Sequence, residues 1–200
     1  MLETPSIRPV LALPFSGMGS DNPGGADNQQ ERLIEFQGWV VGLVDGEGCF
    51  SIGFVRQPDR AGRSGYKTGY QVVYRFVVTQ GAGSAGALEE LAEFFGVGRI
   101  YRNRRHDNHK EDLLQYRVGR LSDLLEVVIP FFEEHPLRTA KRQDFEKFAA
   151  CVRRVASGSH LTARGLLEIV EIAQTMNHRR LRPELIRILR GHTPNVRDTG

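Results

Sequence analysis

Asp45 and Glu47 close an apolar run in the stretch WVVGLVDGEGCFSI (Trp39–Ile52), two carboxylates separated by one glycine. A helix through this run carries both into its last turn. There the partial negative charge of the helix C-terminus disfavours a carboxylate by roughly 0.3–1 kcal/mol. Residues two apart on a helix point about 200° from each other, so the pair cannot share one site within a single chain. Gly38, Gly42 and Gly46 recur every four residues and line one side of the same helix. Each costs roughly 1 kcal/mol against alanine, which close approach of a second helix backbone offsets. If two copies meet along this seam, their C-terminal carboxylates converge at the crossing point. Bound Mg²⁺, or another divalent cation such as Mn²⁺, relieves the unfavourable charge and makes a hydrolytic centre of it. The plainer alternative is that Glu47 lies exposed at a helix end, as many glutamates do.

The helical pattern runs from Glu31 (Leu33, Ile34, Trp39, Val40, Val41, Leu43, Val44) and stops at Gly46 and Gly48. CFSIGFVR and YQVVYRFVVTQ alternate as strands and make a hairpin across the basic connection Arg56–Lys67. SAGALEELAEFFG reads as a helix with Ser84 as N-cap and Gly96 as its stop. VGRIYRNRR and LLQYRVGR form a second hairpin around HDNHKED. DLLEVVIPFFEEH is a helix kinked or broken at Pro130. A long amphipathic helix is expected from about Leu137 to Ala156, then shorter ones near 162–176 and 183–190. The order predicts an α+β domain whose four-stranded antiparallel sheet carries its helices on one face. The other face presents Arg75, Arg99 and Arg117 with Gln71, Asn103 and Gln115. It also presents Val73, Val77 and Tyr101, which suit a purely solvated surface badly. Residues 1–30, rich in Pro, Gly, Ser and Asn, are expected to be a disordered leader.

The chain of 200 residues carries a net charge of +3, but twelve Lys/Arg against seven Asp/Glu fall between Cys49 and Arg120. The positive field therefore gathers on the predicted strands, as a polyanionic partner requires. Cys49 and Cys151 show no pairing pattern, so a reducing intracellular setting, cytoplasmic or organellar, is expected. No run is long enough to span a bilayer, and PVLALPF holds two prolines and no cleavage site, so neither secretion nor a membrane partner is expected. His106 and His109 lack a cysteine pair and read as part of a polar turn rather than a zinc site. Cys49 reads as a packing residue, the Phe94–Phe95 and Phe131–Phe132 pairs as core, and HRRLRPELIRILR as a solvated amphipathic segment.

VVGLVDGEG (Val40–Gly48) resembles the signature of the LAGLIDADG homing endonucleases, with Gly42, Leu43, Asp45 and Gly48 kept and Glu47 as the second acid. FVVTQ, FFGVGRIY and HPLRTAKRQDFEKF extend the resemblance over roughly residues 31–155. The resemblance implies an αββαββα fold with a saddle-shaped sheet over 31–157, followed by a C-terminal helical extension over 158–200. It implies that Glu47 is the metal ligand and catalytic acid, and that Asp45 is structural at the helix base. Gln80 would position solvent, and Lys141 would support charge, with Arg138 or Arg142 as alternatives. Gly38, Val41, Gly42, Asp45 and Gly46 would form the interface between two copies. Gln71, Arg75, Arg99, Asn103, Arg105, Gln115 and Arg117 would contact DNA.

A single motif copy implies a homodimer on a near-palindromic double-stranded target, acting in intron homing. The implied chemistry is metal-assisted hydrolysis of one phosphodiester per strand across the minor groove, leaving short 3′ overhangs. The alternative is a non-catalytic module of the same fold, either a maturase binding intron RNA or a DNA-binding regulator.

Overall fold

The structure, a computed structural model, describes residues 25–57, 68–103, 112–177 and 181–191. The first helix, α1 (Gly25–Glu47), begins six residues before the Glu31 expected from periodicity. Residues 28–32 are polar and exposed; helical backbone bonds need no apolar face, so a search for apolar spacing misses these turns. The rest of the expected leader lies outside the described residues. So do most of the Arg56–Lys67 connection and the turn holding Arg105, His106 and His109.

The chain passes from α1 directly into β1 (Gly48–Arg56). A Cβ at residue 48 would sit 2.6 Å from the Val44 carbonyl oxygen, which is why glycine stands at this corner. β2 (Tyr70–Gly81), β3 (Arg99–Asn103) and β4 (Leu113–Val118) complete an antiparallel sheet in the order β1-β2-β4-β3. Its register pairs Gly48 with Val78, Phe76 with Val118 and Arg99 with Arg117. The pleat then puts Phe50, Ile52, Val72, Phe76, Val78, Tyr116 and Val118 on one side, all buried.

Among the described residues, helices cover that side alone. α2 (Ala85–Phe95) starts at Ser84, whose side chain makes no capping bond, and stops at Gly96 with φ +64°. The segment around Pro130 is not broken. α3 (Leu121–Asp123) leads through one π-helical stretch, Leu124–Val128, into α4 (Ile129–Glu134). Proline has no N–H for the carbonyl four residues back and crowds it, and a wider turn before Pro130 accommodates both. α5 (Lys141–Ala156) starts four residues later than Leu137. Leu137 is a core residue, 1% exposed, and the amides of Arg138 and Thr139 are occupied elsewhere, as described below. α6 (Ala163–Ala173), capped by the Thr162 hydroxyl accepting from the Gly165 N–H (3.1 Å), and α7 (Pro183–Arg190) close the chain.

The core is aromatic. Phe50 stacks on Phe76 at 5.1 Å and meets Phe132, Phe145 and Phe148 at 5.2–5.6 Å. Phe94, Phe95, Phe131 and Phe132 are buried as expected. The C-terminal extension also docks on the free edge of β1: Asn177 Nδ2 donates to the Phe50 carbonyl (2.9 Å) and Arg182 Nη2 to that of Ile52 (3.2 Å). An edge strand is thus covered rather than left open to pairing. Phe50→Ala should lower the unfolding free energy by about 3–5 kcal/mol in urea titration; a loss under about 1 kcal/mol would refute the central place given to this ring.

Candidate active site and nucleic-acid interface

The last turn of α1 is tied to the start of α5 by side chains from both. The Asp45 carboxylate accepts from the Arg138 N–H (2.8 Å), the Thr139 N–H (3.2 Å) and the Thr139 hydroxyl (2.8 Å). The Thr139 hydroxyl in turn accepts from the Lys141 N–H (3.2 Å). Lys141 Nζ returns the tie, donating to the carbonyls of Val44 (3.0 Å) and Gly46 (3.1 Å). These are orphan carbonyls of the helix end, and an ammonium there answers the helix dipole directly. Part of the charge compensation that the sequence analysis assigned to a bound cation therefore comes from within the chain.

The electrostatics follow from this geometry. Burial pushes the Asp45 carboxyl up, but the hydrogen bonds from Arg138 and Thr139, with the Lys141 ammonium, outweigh it and leave the pKa below the usual aspartate value. Burial lowers the Lys141 pKa against the raising influence of Cys49, Asp45, Glu47 and Asp144. Desolvation of its thiol likewise raises the Cys49 pKa, but Cys49 is exposed on the outward side of β1 rather than packed in the core as the sequence suggested, because its place in β1 gives it the pleat side opposite Phe50. Glu47, the final residue of α1, is exposed, and its carboxylate is held by no hydrogen bond or ion pair among the described residues. Arg142 is turned to Glu146 (3.0 Å), and Arg138 contributes its backbone, so of the three candidate cations only the Lys141 side chain bonds to the end of α1. Since Gly48 pairs with Val78, Gln80 lies two residues further along β2, beside the end of α1. Gln80 shares the pleat side of Val78, toward the helices rather than the outward face.

The open side of α1 bears the glycines. A Cβ added at Gly38, Gly42 or Gly46 would meet nothing within 4 Å, so none of the described residues makes the close approach that their spacing suggests. Ile34 (59% exposed) and Trp39 (36%) extend this open side. Val41 and Asp45 are half-buried beside it.

The sheet's outward face holds every described residue nominated for nucleic-acid contact. Register places Cys49, Val77, Arg117 and Arg99 in one row, Ser51 and Arg75 in the next, and Thr79, Gln115 and Tyr101 in another. Gln71 shares this side near the far end of β2, accepting from Gln57 Nε2 (3.1 Å), and Asn103 lies exposed on β3.

A protein-family model described as LAGLIDADG endonuclease matches residues 40–152. The chain belongs to the LAGLIDADG endonuclease family. Among relatives, it is 33% identical over 141 residues to "Probable intron-encoded endonuclease 3" of Neurospora crassa, covering 70% of this chain and 24% of that protein. The chain spans about a quarter of the length of the first curated relatives it matches. Among solved structures, the homing endonuclease I-TnaI is 40% identical with a TM-score of 0.63, covering 77% of this chain and 95% of that one. I-SmaMI, bound to an uncleaved DNA target in the presence of calcium ions, is 31% identical with a TM-score of 0.64, covering 76% and 48%. The α+β fold of this LAGLIDADG protein is therefore that of the homing endonucleases. Among its described residues no helix is long and apolar enough to cross a membrane.

Sequence reasoning missed Thr139 and Asn177, and it placed Tyr101 on the outward face without assigning it a partner. Thr139 had a weak local signal, a hydroxyl two residues before a helix-opening lysine in PLRTAK. Asn177 and Tyr101 are joined to their partners only through the fold. The Asp45 tie carries a pH signature. A carboxylate whose pKa is lower in the folded state stabilises at pH above its ordinary value, about 4, and the benefit fades as pH falls through the lowered one. Asp45→Asn should cost about 1–2 kcal/mol at pH 7, and urea titrations of the two proteins should converge at pH 2–3. An equal gap at both pH values would mean that the charge of Asp45 is not what stabilises the junction.

Proposed function

We propose that this LAGLIDADG protein is an intron-homing, site-specific DNA endonuclease that acts as a homodimer on a near-palindromic double-stranded target. One observation carries the reading: the exposed Glu47 carboxylate, held by no hydrogen bond or ion pair among the described residues, stands at the end of a glycine-lined helix face that those residues leave open. Two copies packed along that face put one such carboxylate from each at the crossing.

Glu47 suits a hard divalent cation, which takes one or two carboxylates and completes its shell with water and phosphate oxygens. Among the described residues no three His, Cys, Asp or Glu side chains cluster to hold a metal within one copy, and Asp45 is committed to Arg138 and Thr139. Glu47 of each copy, with the DNA phosphates, is the donor set this supports. Mg²⁺ or Mn²⁺ bound there supplies charge stabilisation for the attacking water and the leaving 3′ oxygen. Lys141, anchored on Val44 and Gly46, holds positive charge close to Glu47 and the phosphate it faces. Gln80 supplies an amide to orient solvent. Gln71, Arg75, Arg99, Asn103, Gln115 and Arg117 form the DNA-facing surface, with phosphate contacts setting position and base edges setting sequence. The intron-encoded relatives and the DNA- and calcium-bound I-SmaMI support this reading. An intracellular, reducing compartment is consistent with it.

Cleaved sites should be selected from a randomised palindromic library with Mg²⁺. The wild-type chain should cut a defined set, and Glu47→Gln should bind the same DNA with cleavage reduced by at least a hundredfold. If wild type and variant both bind and neither cuts, the protein is a binding module instead. Gly42→Leu, which fills the open face, should convert the homodimer to monomer in sedimentation equilibrium and abolish cutting of both strands. A monomeric wild type that still cuts would overturn the dimer.

A further inference from the structure

Arg117 differs from the other cations of the outward sheet face in being held. Its guanidinium carbon lies 4.7 Å from the centre of the Tyr101 ring, and Nη2 donates to Gln115 Oε1 (3.1 Å). Gln115 is braced in turn, its Nε2 donating to Thr79 Oγ1 (3.4 Å). Arg75 and Arg99, on the same face, are exposed, and their side chains form no hydrogen bond or ion pair among the described residues. Arg117 Nε is shut off from solvent with no acceptor, and folding gains nothing by burying a donor unpaired. Tyr101, at 45% one of the more exposed large side chains, gains its place on the outward face from the cation it carries.

A phosphate contact needs only a positive charge on a flexible stem. A guanine in the major groove needs more: a planar fork in fixed orientation, giving two parallel N–H bonds to O6 and N7. Nη1 and the second N–H of Nη2 are free for that pair. The geometry points to Arg117 as the reader of one guanine in each half-site, with Tyr101 as the positioning residue that holds its fork and Gln115 as the brace behind it. This assignment rests on the outward sheet face being the DNA interface. It gives Gln115 a bracing role where the sequence suggested direct contact, and it explains why an aromatic shares the parity of the basic residues.

Binding selection from a randomised duplex library in Ca²⁺, using the full chain, tests the assignment without requiring cleavage. The wild type should enrich one guanine in each half-site. Arg117→Lys keeps the charge and should lose that preference by roughly tenfold to a hundredfold, with the other positions unchanged. Tyr101→Leu should weaken the same position several-fold, and Tyr101→Phe, which keeps the ring, should restore it. Placing 7-deazaguanine at that position should weaken binding by the wild type about tenfold and leave Arg117→Lys unaffected. An even loss across all sequences in Arg117→Lys would make Arg117 a phosphate contact and overturn the assignment. So would a loss in Tyr101→Leu spread over every position, in a protein whose thermal unfolding is unchanged. If the wild type enriches no sequence at all, the DNA-interface reading fails first and this one with it.

Discussion

The junction between the end of α1 and the start of α5 is the constraint on which the rest depends. A helix that ends in Asp45 and Glu47 places negative charge at its own negative pole. The structure resolves this by crossing two interactions: Asp45 takes up amides of the α5 approach, and Lys141 takes up carbonyls of α1. Each residue satisfies backbone groups of the opposite element, so neither end can shift without unpairing the other. Glu47 is left as the acid of the pair held by no hydrogen bond or ion pair among the described residues, at a position fixed by this tie on one side and by the tight Gly48 corner on the other. The catalytic role proposed for Glu47 needs such an arrangement, free at its reacting atoms and rigid at its base.

From that corner β1 carries the chain out along the sheet, and the two sides of the pleat divide the work. The inward side locks into an aromatic cluster centred on Phe50 and Phe76, shared with α4 and α5. Among the described residues the outward side is bare of helices and carries the basic and amide side chains. The C-terminal segment serves this division. Asn177 and Arg182 bond to carbonyls at the free edge of β1, and Arg182 lies over the Phe54 ring at 4.7 Å. That edge is thus closed without any helix crossing the outward face.

The open glycine side of α1 gives the chain a surface that its own fold does not complete. Three helical glycines destabilise an isolated helix, and no atom of the described residues comes within 4 Å of a Cβ built on them.

Much of this protein is legible in the sequence by itself. Alternation marks the four strands and assigns each side chain to a pleat side. The glycine spacing marks the open face of α1, and the DGEG corner marks the acids. These are local periodicities, set by backbone geometry that neighbours in sequence share. The limits of that reading are also local: the polar first turns of α1 carry no apolar period, and the widened turn before Pro130 arises from a missing N–H that the sequence marks only as a kink or break. What the tertiary structure alone decided are the pairings across long separations. Asp45 bonds to Thr139, Lys141 to Val44, Asn177 to Phe50, and Arg117 lies over Tyr101. None of these partners is implied by its own neighbours in sequence. Each bond depends on a few tenths of an ångström in distance and on direction, and only the packed fold sets those.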